Sequence, residues 1–517
     1  MITSLTPMTK SGWWLTLASF LLCAGCGNSS NRLTPGTNPL VAQYRVAAPS
    51  HSSVAVEFGP DTNYGFTTSD FPVPDGAISI TVPVAGMKAN STYHMRAVTT
   101  GPDGHKEYDH DRTFTTGQVP DNKLPMATVT LTPGGAPSPG IELLGLNPGA
   151  NNSPQFTIEA LDPAGNLIWY YDYDHSLGVA QPIKLLANGH FLVNFFGGPS
   201  AAQGGGTVRE IDLDGTTIHE FTVNDLNKSL AAAGVSWAAF SIHHDFVELP
   251  NGHLLLLVNS FKDFTDVEGF TGTTSVQGDA IVDLDENLKP VWVWSSFDHL
   301  DVNRHPFGFT QQFADWTHSN ALLYSPDDGN LLLSIRHQFW VIKIDYANGH
   351  GSGDVLWRLG YQGDFTLLNS ASPADWFYAQ HFPIIVSPNS SGVFQLAIFD
   401  NGDNRVLDSN GTICGSNGAP ACYSRAVIFE VNEMDKTARV LWSYPISYSF
   451  WGGTIQQLPN GNVFVDMTTP LDLSNESARI VEVTQEETPR IVWSLEVEDQ
   501  NSYRTIHLPS LYPGVQW

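Results

Sequence analysis

An internal repeat restricts what this chain can become more than any other feature. In Ile183-Lys-Leu-Leu-Ala-Asn-Gly-His-Phe-Leu-Val193 an apolar strand runs into an Asn-Gly turn and returns as a second apolar strand. The same pattern recurs at residues 246–257 and 455–465. Asn-Gly marks a two-residue hairpin turn, in which both central residues take positive φ. A further strand follows (208–212, 280–283, 341–345, 427–431), then one that carries tryptophan (291–294, 355–357, 440–442, 491–493). Four antiparallel strands whose apolar faces must be covered by the next unit make the blade of a β-propeller. Units start near Gln181, His244, His318, His381 and Gly453. A sixth is split, opened by residues 156–160 and 166–170 and closed by 503–508. The expected fold is all-β, with a six-bladed β-propeller over residues 141–517 whose two ends share one blade.

The residues before it have a different texture. Residues 41–118 hold short alternating strands (54–58, 78–82, 93–98, 112–116) separated by turn residues, the pattern of a small β-sandwich. Lys88-Ala-Asn-Ser-Thr-Tyr93 resembles the tyrosine corner of fibronectin type III domains. Residues 27–40, rich in Asn, Ser, Thr, Pro and Gly, read as a flexible tether. Residues 1–26 read as a signal peptide: Lys10 precedes an apolar run over 13–24 that is too short to span a bilayer. Gly25-Cys26 ends that run as a bacterial lipoprotein cleavage site does, which makes Cys26 the candidate lipidation site; the alternative is an ordinary signal peptide. The expected location is the periplasm or cell envelope, as an outer-membrane lipoprotein. In that oxidising compartment Cys414 and Cys422, closing a Gly- and Pro-rich loop, are expected to form a disulfide.

Charge excludes one class of partner. Across 517 residues, 24 Lys and Arg face 52 Asp and Glu, a net −28, although only 15% of the chain is charged. Nucleic-acid binding needs clustered cations to displace counterions from phosphate, so no nucleic-acid partner is expected. Gly204-Gly-Gly206 is read as a flexible loop, since no Lys-Ser/Thr follows it to cradle a phosphate.

Alignment of the units on their turn glycines brings out three histidines. His244 lies eight positions before Gly252, while His318 and His381 precede Gly329 and Gly392 by eleven, the longer turns absorbing the difference. If these residues open the innermost strands, three imidazoles from successive blades meet at one mouth of the channel, and Arg336 at the end of the next strand joins them. Any one of them alone would read as an ordinary structural histidine. A histidine ring could bind zinc, but Arg336 would repel a cation, and no Asp or Glu occupies an equivalent strand start. No metal and no cofactor are expected; Arg with several His suits an anionic tetrahedral group. Asp400-Asn-Gly-Asp-Asn-Arg405 lacks the spacing of a calcium loop and is read as a polar turn at the channel mouth.

Ile242-His-His-Asp245, Asp315-Trp-Thr-His-Ser-Asn320, Ser334-Ile-Arg-His337, Gln380-His381 and Phe399-Asp-Asn-Gly402 resemble, as a set, the signature stretches of bacterial arylsulfate sulfotransferases. The resemblance implies transfer of a sulfuryl group from a phenolic sulfate ester to a phenolic acceptor, independent of phosphoadenosine phosphosulfate. It implies a transiently sulfated histidine at His381, with His244, His318 and Arg336 contacting the sulfate; His318 is the choice for general acid and base. His243 could replace His244, although register favours His244 and leaves His243 facing away or behind it. The family's disulfide lies just before its nucleophile, whereas Cys414 and Cys422 follow His381, which leaves specificity open. Trp237, Phe240, Phe309, Trp376, Phe377, Tyr378 and Trp451 are candidates to stack on a phenyl ring. Expected partners are the phenolic donor and acceptor, a membrane if Cys26 is acylated, and a second copy in a homodimer. The rival readings are an aryl sulfate hydrolase and a non-catalytic propeller that binds a glycan or protein.

Overall fold

The computed structural model describes residues 31–517 except 125, 148–154, 198–204, 371, 417 and 474–476. The leader with Cys26, and Gly204, lie outside the described residues. The chain is all-β, with two short α-helices among the described residues, at Val223–Ala232 and Ser296–His299. Among the described residues no helix is long and apolar enough to cross a membrane.

The N-terminal region has two sheets around one core. Arg32–Pro35, Ala42–Ala47 and Ser79–Val84 form one; Ser53–Gly59 and Thr92–Thr100 centre the other. Strand alternation sends Tyr44, Val46, Val56, Phe58, Val82 and Met95 into the shared interior. The Tyr93 hydroxyl accepts from the Lys88 amide at 3.0 Å, the contact expected of the corner. The expected tether is corrected here. Arg32–Pro35 pairs in register with residues 42–45, Leu33 packs on the core, and Asn38 donates to the Tyr170 carbonyl at 2.8 Å. Its polar composition marked turn chemistry, not freedom. The C-terminal segment also holds this region, with Tyr512 donating to the Pro83 carbonyl and Trp517 to that of Thr67.

Six antiparallel sheets follow among the described residues. In the first, Ile141–Leu146 pairs with Ile158–Leu161 on one side and with Ser502–Leu508 on the other, so the ends of the expected propeller region share a sheet as the split repeat predicted. The second to sixth begin with Gly178–Leu185, Ser241–Glu248, Ser319–Ser325, His381–Ser390 and Thr454–Gln457. The sixth also takes Met126–Leu131 as an outer strand against Ile491–Glu498. The first strands of consecutive sheets neighbour one another, and Ser502–Leu508 neighbours both Thr454–Gln457 and Gly178–Leu185.

The repeat residues now have physical jobs. At the Asn-Gly turns only glycine takes positive φ (Gly189 87°, Gly252 82°, Gly461 87°), which corrects the two-residue turn to a longer one with glycine as its left-handed residue. The asparagine instead accepts from the amide two residues on, as Asn188 does from His190 at 2.9 Å. The outer-strand tryptophans rivet neighbouring sheets: Trp294 donates to the Gly353 carbonyl, Trp357 to Glu433 and Trp493 to the Pro163 carbonyl. The last of these ties the sixth sheet to the first.

Candidate active site

The inner strands that carry His244, His318 and His381 break their ladder near the same end. The third sheet has extra residues between Ile242 and Phe246, the fourth between Ser319 and Ala321, and the fifth between His381 and Ile384. A bulge bends its strand and re-aims the side chains. Here it coincides with left-handed backbone at His244 (φ 56°), His318 (φ 50°) and Phe382 (φ 41°). For a residue with a Cβ this conformation costs about 1–2 kcal/mol, and such strain concentrates where side chains must be aimed. The second sheet bulges between Ala180 and Ile183 without a histidine.

The bulges bring the expected residues together. The His244 and His318 rings are 5.0 Å apart, and Tyr503 lies 5.6 Å from His244 and 6.1 Å from His381. Arg336 opens the short turn after Asn330–Ile335. Each imidazole is oriented through Nδ1. His381 Nδ1 is 2.8 Å from Asn401 Oδ1, His318 Nδ1 is 2.5 Å from Asp315 Oδ2, and His244 Nδ1 is 2.7 Å from Nδ1 of His243. His243 stands behind His244, with Nε2 3.3 Å from Asp279.

For His381 the network assigns the tautomer. The Asn401 side-chain amide donates to the carbonyls of Ser449 (2.8 Å) and Gly452 (3.1 Å), so its oxygen faces His381 and must accept. Nδ1 therefore carries the proton and Nε2 the lone pair. The Gly452 amide, donating to Nε2 at 3.3 Å, agrees. Burial, reinforced by the Arg336 guanidinium, holds the His381 imidazole well below the usual histidine value, so it is neutral at pH 7. Burial and the neighbouring histidines do the same for His244. Burial alone would raise the Asp315 carboxyl, but His318 and His337 outweigh it and hold the group at about 2.

The cations of the pocket are matched by carboxylates. Arg336 donates to Asp403 Oδ2 at 2.7 Å and to the Phe450 carbonyl at 3.0 Å. Arg504 and Lys184 share the buried carboxylate of Asp245, at 3.2 and 2.5 Å. What the site offers an anion is directed hydrogen bonding. The Arg336 Nε–H is buried and has no hydrogen-bond partner among the described residues, and a buried donor left unpaired costs about 1–3 kcal/mol.

Asp315, His318 and His337 each present a ligand atom within 4.8 Å of the others. That acidic member comes from Ala314–Asp315, beside the third sheet, and not from a strand start. Both His337 nitrogens are engaged, Nδ1 by the Asp315 carbonyl at 2.7 Å and Nε2 by Arg336 at 2.8 Å. A cation there would face the guanidinium and break its hydrogen bond, so this donor set does not fit a metal. The calcium alternative for residues 400–405 fails similarly: Asp400 bridges Arg405 and Arg425, both at 2.8 Å.

Most of the expected aromatic platform lies elsewhere. Trp376, Phe377 and Tyr378 are core residues of the fourth and fifth sheets, Phe309 packs on Phe270, and Phe240 on Phe261; Trp237 lines the core beside the Val223–Ala232 helix. Trp451 does reach the site, 6.3 Å from Tyr503 and nearly parallel to it. Asn401, Asp315 and His337 lay unassigned inside the quoted stretches. Tyr503 and Arg504 were missed, although the split sheet places them where His381 stands in its own sheet. The Cys414–Cys422 disulfide is present, and the Cys414 amide donates to the Arg405 carbonyl, which ties the loop to the turn carrying Asn401 and Asp403.

Comparison with known proteins gives partial relatives, weak structural likenesses and a family. Two curated proteins named arylsulfate sulfotransferase AssT align with part of the chain. The one from Escherichia coli O6:H1 (strain CFT073) is 26% identical over 256 residues, and the one from Lelliottia amnigena 23% over 252 residues. Each alignment covers 39% of this chain and 40% of the relative. Solved structures give weak likenesses: Pseudomonas brassicacearum lignostilbene dioxygenase (TM-score 0.35, 11% identity, 90% of this chain and 94% of that one) and cobalt-substituted Synechocystis ACO (TM-score 0.33, 10% identity, 92% and 94%). The profile of the arylsulfotransferase (ASST) family matches residues 143–504, a span that contains every histidine, arginine and carboxylate of the site, and the chain belongs to that family.

Proposed function

We propose that this protein transfers a sulfuryl group from a phenolic sulfate ester to a phenol, through a sulfo-histidine at His381 and without a nucleotide sulfate donor. The observation that carries the reading is a neutral, buried imidazole with its lone pair on Nε2, in a site where the buried Arg336 Nε–H lacks a partner among the described residues. In the first step the Gly452 amide releases Nε2, whose lone pair forms a bond to sulfur, and the sulfur–oxygen ester bond breaks with its electron pair on the phenolate. The Arg336 Nε–H holds a sulfuryl oxygen as charge moves through the group. His318, held by the Asp315 carboxylate, protonates the phenolate and later takes the proton of the acceptor phenol as that oxygen attacks sulfur and releases Nε2. His244 lends Nε2–H to the sulfuryl oxygens when His243 donates to its Nδ1.

The fold belongs to the proposal: the six sheets close as a six-bladed β-propeller, and the N-terminal region is fibronectin type III-like. The neighbour relations that return from the sixth sheet to the second through Ser502–Leu508, and the Tyr93–Lys88 contact, support this. Export, acylation of Cys26 and a homodimeric state complete it, to be checked by lipid labelling and light scattering.

Intact-mass measurement after incubation with an aryl sulfate tests the chemistry. The protein should gain one sulfuryl group, His381→Asn should gain none, and added phenol should discharge it with a steep rise in turnover. Turnover indifferent to phenol would instead mark a hydrolase; no adduct and no turnover would mark a binding module.

A further inference from the structure

The reaction needs a seat for the aromatic ring. We propose that the recess lined by Phe450, Trp451, Pro470, Leu471 and Leu473 holds the aryl ring of the sulfate ester and, in the return step, of the acceptor phenol. Leu471 on its rim sets the ring width accepted. The inference rests on the sulfuryl-transfer reading and adds to it where the ring sits and what limits it.

Three consecutive residues join this recess to the reacting atoms. The Phe450 carbonyl accepts from Arg336 at 3.0 Å, the Trp451 ring lies 6.3 Å from Tyr503 at 25°, and the Gly452 amide is 3.3 Å from His381 Nε2. The recess encloses 230 Å³ between mostly apolar walls. An apolar cavity of roughly 150 Å³ takes a benzene molecule, so this one has room for a substituted phenyl ring. Phe450 is 47% and Leu471 68% exposed. A lone exposed apolar residue is ordinary, but these two border one recess beside a buried nucleophile. Thr469 also lines it, and its hydroxyl is buried without a partner among the described residues, which suits a polar ring substituent.

The test uses Leu471→Trp, which narrows the recess, and Leu471→Ala, which widens it; the position is exposed, so thermal unfolding should match that of the unaltered protein. Relative kcat/KM for 2-naphthyl sulfate against phenyl sulfate should fall about tenfold in Leu471→Trp and rise in Leu471→Ala, the scale on which apolar pockets discriminate size. Isothermal titration with 2-naphthol reads the recess without any transfer, and its Kd should rise about tenfold in Leu471→Trp. An unchanged selectivity ratio in active variants, or unchanged naphthol binding, overturns the assignment of the recess while leaving sulfuryl transfer standing. Naphthol binding that weakens as expected in a protein that transfers nothing overturns the transfer reading and supports the recess as an aryl site.

Discussion

Asn401 Oδ1 lies 2.8 Å from Nδ1 of His381, and the amide cannot turn over because its nitrogen is held by two backbone carbonyls. One side chain thereby decides which imidazole nitrogen keeps the lone pair. Asn401 acts as a positioning residue, through His381.

Replacing it should separate orientation from nucleophilicity. Asn401→Leu should lower kcat on an aryl sulfate by about 10²-fold, within the range seen when an imidazole loses its orienting partner. Asn401→Asp keeps an acceptor but adds a negative charge that favours imidazolium, so it should retain more activity. Its acid limb in a kcat/KM pH profile should move to higher pH.

Arg336→Lys tests whether the guanidinium works by direction or by charge. Lysine keeps the charge beside Asp403 but has no fixed fork, so kcat/KM should fall by about 10²–10³, as when a preorganised donor is removed from an oxyanion site. Near wild-type kinetics in Arg336→Lys would contradict the role given to Nε–H.

Acid should destabilise the fold through its buried histidines. Burial, with His318 next, holds His337 well below its usual value, as burial does for His381 and His244. Below about pH 6.5 the unfolded chain therefore binds more protons than the folded one, and stability falls with pH. His337→Gln should show a shallower decline of Tm between pH 6.5 and 4.5.

The opposite slope is expected at the other end. Glu159 is fully buried, its oxygens have no partner among the described residues, and burial raises its carboxyl to about 8. Stability tied to this neutral form is present below the unfolded value and lost as pH rises toward 8. Glu159→Gln should thus be more stable than the natural sequence at pH 8.5, by up to a few kcal/mol, and match it more closely at pH 5. Equal gains at both pH values would refute a titrating origin.

Reduction of the Cys414–Cys422 disulfide, or Cys414→Ser with Cys422→Ser, should cost about 2–3 kcal/mol by loop-closure entropy. Because the loop is tied to the turn carrying Asn401 and Asp403, inactivation on mild heating should precede loss of β-sheet circular dichroism.

Much of this was legible in the chain because it is local. Strand alternation, turn glycines and outer-strand tryptophans repeat at fixed spacing, and each follows from how one strand meets the next. The register of His244, His318 and His381 was visible for the same reason. The turn type was misjudged because Asn-Gly serves two turn geometries, and the tether because polar turn residues and disordered ones share a composition. Trp376, Phe377 and Tyr378 could be read either as ring-stacking candidates or as ordinary packing, and they are packing, since sequence cannot tell an aromatic facing a site from one facing the neighbouring sheet.

The sequence by itself determined an all-β chain of stacked four-stranded units, the shared sheet of its two ends and the histidines that mark one end of the stack. Only the tertiary structure decided their chemistry. Proton position on an imidazole depends on which partner lies within 3 Å, and Asn401, Asp315 and His243 are placed there by bulges and turns whose effect is three-dimensional. Charge followed the same rule: the chain's net −28 foretold no partner for Arg336, yet folding sets Asp403 against it and leaves Nε–H as the group an anion can meet.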